Sequence, residues 1–182
     1  MSEEIRVRPA QLADVPAMAV VHVDAWAETY RGLLADQVLE DPAFFSARER
    51  QWTTALTDVR FSSYRVAVAE QGNVIIGIAM SGPTADEFEV LHLYVLYVLR
   101  QWHGSGVGSN LLEAVLAPCE AATLWVADPN PRAQAFYRKY RFEADGVEKV
   151  EDNLKEIHMV RPGTASKLES HGRLRIPQPH AA

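Results

Sequence analysis

The stretch from Phe88 to Pro118 constrains this chain more than any other. Phe88 to Leu99 is β-branched, aromatic and almost wholly apolar, which predicts a strand buried on both faces. His103-Gly104-Ser105-Gly106-Val107-Gly108 follows, and Val107, Leu111, Leu112, Val115 and Leu116 then recur at helical spacing. That helix, over 106–117, stops before Pro118, whose ring disfavours helical backbone in the residue ahead of it. Glycine at three of the five positions 104–108 predicts a loop whose backbone approaches a ligand closely. A helix start presents unpaired N–H groups and a partial positive charge, so the loop favours an anion, most often a phosphate.

Three loop designs place glycines between a strand and a helix. A Walker A loop needs Lys and then Ser or Thr after its last glycine. Here Gly108 is followed by Ser109-Asn110, which argues against an NTPase. A dinucleotide fingerprint needs a glycine where Ser109 stands, and an acidic residue about 20 positions on at a strand end. Asp128 is near enough in number but lies in an Asp-Pro-Asn-Pro turn. Neither design fits the stretch, and a third is recognised only together with a second stretch further along the chain.

A chain of 182 residues suits one domain with a full core. It is 48% hydrophobic and 23% charged, an ordinary globular composition. The net charge of −6, with no basic run, argues against nucleic acid and suits a cationic substrate. One cysteine, Cys119, excludes an intrachain disulfide, fits a reducing cytoplasm and reads as a small buried residue. No apolar run of about 18 residues and no leader pattern points to a membrane. The six histidines show no paired spacing with cysteine or carboxylate, so no metal site is expected.

Ile5, Val7 and Pro9 alternate as a first strand. Asp14 before Val15-Pro16 reads as an N-cap, and Val15, Met18, Ala19, His22, Ala25 and Trp26 carry a helix to about Tyr30, with Gly32 ending it. One helix or two short ones cover Pro42 to Leu56. Tyr64–Ala69 and Val74–Met80 are strands joined by a hairpin turn at Gln71-Gly72-Asn73, and Ser81-Gly82-Pro83 is expected to break the sheet. Thr123–Val126 is a further strand, Asn130-Pro131 opens a helix to about Tyr140, and strands near Glu143–Val150 and Leu154–Val160 close the domain. Beyond Pro162 the Gly, Ser, Pro and His content reads as a tail over 162–182, packing on this subunit or on its neighbour in a homodimer.

Leu96-Tyr97-Val98, five residues, then Gly104-Ser105-Gly106-Val107-Gly108 resembles the acetyl-CoA motif of the GNAT superfamily of N-acetyltransferases. Asn130-Pro131-Arg132-Ala133-Gln134-Ala135-Phe136-Tyr137, leading to Arg141-Phe142, resembles a second GNAT stretch, with asparagine and tyrosine seven apart. The two stand in family order, and the element order resembles GNAT over roughly residues 5 to 161. The resemblance implies an α/β (α+β) GNAT fold over residues 1–161: a mixed, largely antiparallel twisted sheet of about seven strands with helices on both faces. Three positions depart from the motif. Arg100 replaces a proline, His103 a glutamine or arginine, and Arg141 a glycine at a helix end, where some stability is lost.

By resemblance, acetyl-CoA is the co-substrate and an amine the acceptor, either a small molecule or a protein N-terminus. The backbone of Leu96, Tyr97 and Val98 would pair with the pantetheine arm. The stretch His103, Gly104, Ser105, Gly106, Val107, Gly108 and Ser109 would hold the pyrophosphate. Asn130 would orient coenzyme or substrate, and Tyr137 would protonate the leaving thiolate. From the residues alone, Asn130 also reads as an N-cap and Tyr137 as core, since Ala133, Phe136, Tyr137 and Tyr140 share a helix face. For the base, Trp125 cannot serve. His92 stands where some arylalkylamine-type members carry histidine, Glu89 falls on the opposite strand face, and His92 equally reads as a core histidine. Val21-His22, Trp26 and Tyr30 to Leu34 resemble a stretch common in uncharacterised bacterial GNAT proteins. There Trp26 and Tyr30 would line the acceptor pocket, with Asp24, Glu28 or Asp36 attracting an ammonium. The alternative outside catalysis is an acyl-CoA-binding or regulatory module of the same fold.

Overall fold

The computed structural model describes residues 4–32, 42–84, 90–151 and 154–164. Leu33, Leu34, Asp36, Phe88, Glu89 and the tail from 165 onward lie outside them. The described elements are β1 (Ile5–Pro9), α1 (Val15–Tyr30), α2 (Pro42–Thr57), β2 (Arg65–Gln71), β3 (Val74–Pro83) and β4 (Leu91–Val98). They continue with α3 (Val107–Val115), β5 (Ala122–Ala127), α4 (Pro131–Lys139), β6 (Glu143–Glu151) and β7 (Leu154–Arg161). The seven strands form one sheet in the order β1-β2-β3-β4-β5-β7-β6. Every neighbouring pair is antiparallel except β4–β5, as the expected mixed sheet requires. Among the described residues no helix is long and apolar enough to cross a membrane.

Two apolar layers sandwich the sheet. Val15, Met18 and Val21 of α1 and Trp52 and Ala55 of α2 pack with Val68, Ile78, Met80 and Val95 on one face. Val107, Leu111, Leu112 and Val115 of α3 and Tyr137 of α4 pack with Ile76, Ala79, Leu93, Leu124 and Met159 on the other.

Four local expectations are corrected. Asp14 does not cap α1 with its side chain. Its carboxylate instead accepts the Gln11 N–H at 2.8 Å and the Arg8 guanidinium at 2.7 Å, closing a 3₁₀ turn ahead of the helix. Ser81-Gly82-Pro83 does not break the sheet, since β3 continues to Pro83, which pairs with Leu91. Proline is tolerated at a strand end. Gly82 is needed there because a Cβ would lie 2.5 Å from the Tyr64 ring. Cys119 is exposed, in the turn after α3, rather than buried. Finally, β4 is not buried throughout, for Tyr94 is 42% exposed. The β3–β4 register passes from Met80↔Val95 to Ser81↔Leu93, leaving Tyr94 as the extra residue of a bulge.

Candidate active site

The parallel contact between β4 and β5 is short. It runs Leu91↔Ala122, His92↔Thr123 and Leu93↔Leu124, and there it ends. Past that point β5 pairs with β7 and β4 with β3, and the Tyr94 bulge adds twist at the place of divergence. The two strands therefore open a wedge at their C-terminal ends, the place where ligands sit in sheets with parallel strands. The Leu99 N–H bonds to the Ile76 carbonyl of β3 at 3.1 Å. By strand alternation Leu96 and Val98 then direct their N–H and C=O groups into the wedge.

The glycine loop lies at the wedge mouth. Gly106 is the N-cap of α3 with φ +90°, in the left-handed region that glycine enters without strain, and Gly104 has φ +83°. A Cβ at either position would meet no protein atom within 4 Å, so the loop surface is open. The first amide bonded back inside is that of Asn110, to the Gly106 carbonyl at 3.1 Å. The N–H groups of Val107, Gly108 and Ser109 thus have no acceptor within the helix. Ser105 differs from the expectation: its N–H bonds to the Trp102 carbonyl at 3.3 Å and its Oγ donates to the same oxygen at 2.6 Å.

His103 is turned toward the strand. Its Nε2 donates to the Val98 carbonyl at 2.8 Å, and Arg132 of α4 reaches its Nδ1. Asn130 caps α4, its Oδ1 accepting the Ala133 N–H at 3.2 Å. Pro131 at the first turn lacks the N–H that would otherwise be orphaned. Gln134, which sequence reasoning passed over, is buried and donates to the Ala127 carbonyl at 3.2 Å, fixing α4 to the end of β5.

Three tyrosines converge at the wedge from different elements: Tyr30 from the end of α1, Tyr97 from β4 and Tyr137 from α4. Burial raises all three phenols. Tyr30's charge raises Tyr97 and Tyr137 further, which places the hydroxyls in one another's field. Tyr137 is only 9% exposed and its phenol stays protonated across any working pH. Trp26 packs on Tyr30 with ring centroids 5.2 Å apart, so the two expected pocket residues do share a face. Glu28 is engaged elsewhere, accepting the Arg100 N–H at 2.9 Å, and Asp24 is exposed.

His92 sits at the closed end of the wedge, four residues or roughly 13 Å of strand before Leu96. Its Nδ1 pairs with Thr123 Oγ1 at 2.8 Å. Burial, then the charges of His158 and Lys149, push its pKa down to about 4. Sequence reasoning missed His158 of β7, whose Nδ1 meets Asp145 Oδ2 at 2.7 Å and whose ring lies 4.8 Å from Trp125. Only the β7–β6 pairing brings that histidine and carboxylate together. Two surface clefts, of about 590 and 610 Å³, involve none of these residues. Among the described residues no cluster of three or more His, Cys, Asp or Glu has metal-binding geometry.

Residues 35–161 match the model of the acetyltransferase (GNAT) domain. The chain belongs to the GNAT acetyltransferase family. An uncharacterised N-acetyltransferase of Bacillus subtilis is 30% identical over 168 residues, 87% of this chain and 93% of that protein. A probable N-acetyltransferase of Mycobacterium tuberculosis is 28% identical over 146 residues, covering 78% of this chain and 82% of its own. Among solved structures, the PaiA N-acetyltransferase of Thermoplasma acidophilum in complex with coenzyme A superposes with a TM-score of 0.67 at 16% identity. That match covers 85% of this chain and 98% of the other. The GNAT chain is an enzyme of acetyl transfer, and its wedge and glycine loop lie within the matched residues.

Proposed function

We propose that the protein transfers acetyl from acetyl-CoA to an amine by direct attack in a ternary complex. The observation that carries this reading is the wedge itself: a β4 edge that no strand covers beyond Leu93, an open glycine loop and a buried tyrosine cluster meet at one place. The coenzyme complex of the PaiA relative supports the choice of co-substrate.

The diphosphate binds the amides of Val107, Gly108 and Ser109 at the start of α3, where hydrogen bonding and helix dipole both favour negative charge. The pantetheine arm runs along Leu96 and Val98. An alkylamine of pKa about 10.4 is neutral in roughly one molecule per thousand near pH 7, so proton removal precedes attack. As the amine adds to the thioester carbonyl, the Leu96 N–H stabilises the oxyanion. On collapse Tyr137 donates to the sulfur, and burial supports that donation by making the nascent thiolate more basic.

The environment of His92 suits a neutral hydrogen-bonding group better than a strong base. His158, whose Nδ1 is held by Asp145 Oδ2 at 2.7 Å, is the alternative proton acceptor through water, because that contact fixes its ring orientation. The acceptor lies between α1, α2 and β4, with Trp26 and Tyr30 in its wall, and the reaction takes place in a reducing, aqueous compartment. The test is calorimetry of acetyl-CoA, longer acyl-CoAs and NAD against the full chain. Binding of acetyl-CoA without NAD is expected, and binding of NAD alone refutes the reading.

A further inference from the structure

On the α1–α2 side of the wedge, three polar atoms are buried without a partner: Arg48 Nε, His22 Nδ1 and Trp52 Nε1. Buried polar atoms are nearly always bonded, so three together ask for an acceptor that the described protein does not supply. Trp52 is fully buried and His22 is 3% exposed. Two of the three, Arg48 Nε and Trp52 Nε1, can only donate.

Arg48 is the charged member. One of its terminal nitrogens donates to Gln51 Oε1 at 2.6 Å, and its guanidinium lies 4.2 Å from the Phe44 ring centroid. Among the described residues no carboxylate forms an ion pair with it, although a half-buried guanidinium without one is costly. Its neighbours are neutral. Burial and the Arg48 charge hold His22 down at about 3, so this imidazole supplies no competing cation. The His22 ring is 5.1 Å from Tyr97, and Arg48 and Tyr97 act on one another electrostatically. Tyr97 in turn couples to Tyr30 and Tyr137. An aromatic wall continues the same way, with Phe44 4.5 Å from Trp26 and Trp26 5.2 Å from Tyr30.

We propose that Arg48 recognises an anionic group on the acceptor, so that the substrate is an amine also bearing a carboxylate or a phosphate. A planar fork fixed by Gln51 and Phe44 fits either oxyanion. The acceptor's apolar body lies along Phe44 and Trp26, and its amine points to the Tyr30–Tyr97–Tyr137 hydroxyls. This rests on the acetyl-transfer reading of the wedge, which it narrows to one substrate class.

The experiment measures kcat/KM at saturating acetyl-CoA for matched acceptor pairs: phenylalanine against phenylalaninamide, and O-phosphoethanolamine against ethanolamine. The wild-type protein is compared with Arg48→Gln and Arg48→Lys. A charge-assisted contact of this kind predicts roughly a 10- to 100-fold preference for the anionic member of at least one pair. Arg48→Gln is expected to abolish that preference, leave the uncharged amine within about twofold and leave KM for acetyl-CoA unchanged, with Arg48→Lys retaining part of it. The pair that responds distinguishes carboxylate from phosphate. Equal use of both members by the wild-type protein overturns the proposal even if the variants fail to fold, and so does an equal loss on both in Arg48→Gln. Calorimetry separates the two levels. If coenzyme A binds and no preference exists, the Arg48 inference alone fails, whereas no binding of coenzyme A removes the acetyl-transfer reading and the inference with it.

Discussion

His103 Nε2 donates to the carbonyl of Val98 at 2.8 Å, five residues back along its own chain. It thereby occupies one of the wedge-facing acceptors of β4 where a pantetheine arm would pair. If that arm uses the Val98 carbonyl, the imidazole has to leave it. His103→Ala is expected to tighten coenzyme A binding by up to about tenfold, the worth of one neutral hydrogen bond no longer displaced. Isothermal titration measures it, and weaker binding in the variant would show that His103 contacts the coenzyme instead.

Tyr137 is protonated throughout the working range because burial opposes its ionisation. Tyr137→Phe keeps the ring packing against Phe136 and Phe142 and removes only the hydroxyl. A fall in kcat of about 10²-fold or more is expected, with coenzyme A affinity within twofold. Unchanged turnover would remove Tyr137 from the proton pathway. Coenzyme binding without turnover on any amine in the wild-type protein would favour a non-catalytic module.

Arg141 has φ +67°, the left-handed conformation that ends α4. The Phe142 N–H bonds to the Tyr137 carbonyl at 3.2 Å and the Arg141 N–H to the Arg138 carbonyl at 3.1 Å, the paired bonds of a Schellman motif. A non-glycine residue there costs on the order of 1 kcal/mol, partly offset by the greater unfolded-state freedom of glycine. Arg141→Gly should stabilise by roughly 0.5–1 kcal/mol, raising Tm by about 1–4 °C with activity unchanged. A lower Tm in a thermal melt would show that the arginine side chain contributes more than the strain.

His22 and His92 are both depressed from the ordinary 6.5, to about 3 and about 4, chiefly by burial. The unfolded chain therefore binds more protons than the folded one below pH 6.5, and stability falls with pH from there toward the folded values. Above pH 7 neither group contributes a slope. Urea titrations between pH 7 and 4 should show this decline, and His22→Gln should flatten it by close to one proton. A pH-independent midpoint over that interval would contradict the buried neutral imidazoles.

Much of this arrangement was legible along the chain. Binary pattern predicted the four helices and most of the strands because each buries a face whose period is local, whereas β6 is exposed along nearly its whole length and has no such face. Gly104 and Gly106 announced the loop because only glycine takes their backbone angles without strain. Ser81-Gly82-Pro83 misled because turn residues were read without their neighbour. Gly82 is required by the Tyr64 ring across the β2–β3 pair, a contact between residues 18 apart in sequence. Cys119 misled because composition says how often a residue type is buried, not which turn it occupies.

The sequence by itself determined the element order, the glycine loop at the start of α3 and the cap and tyrosine of α4, since these depend on spacing within single elements. Only the tertiary structure decided which groups share the wedge. The Tyr94 bulge parts β4 from β5 after Leu93, and through that gap hydroxyls from α1, β4 and α4 come together. The same packing left Arg48 without a described carboxylate and set His158 against Asp145. Such partnerships arise from burial and strand pairing between distant segments, and a linear pattern holds no record of which distant groups will be desolvated together.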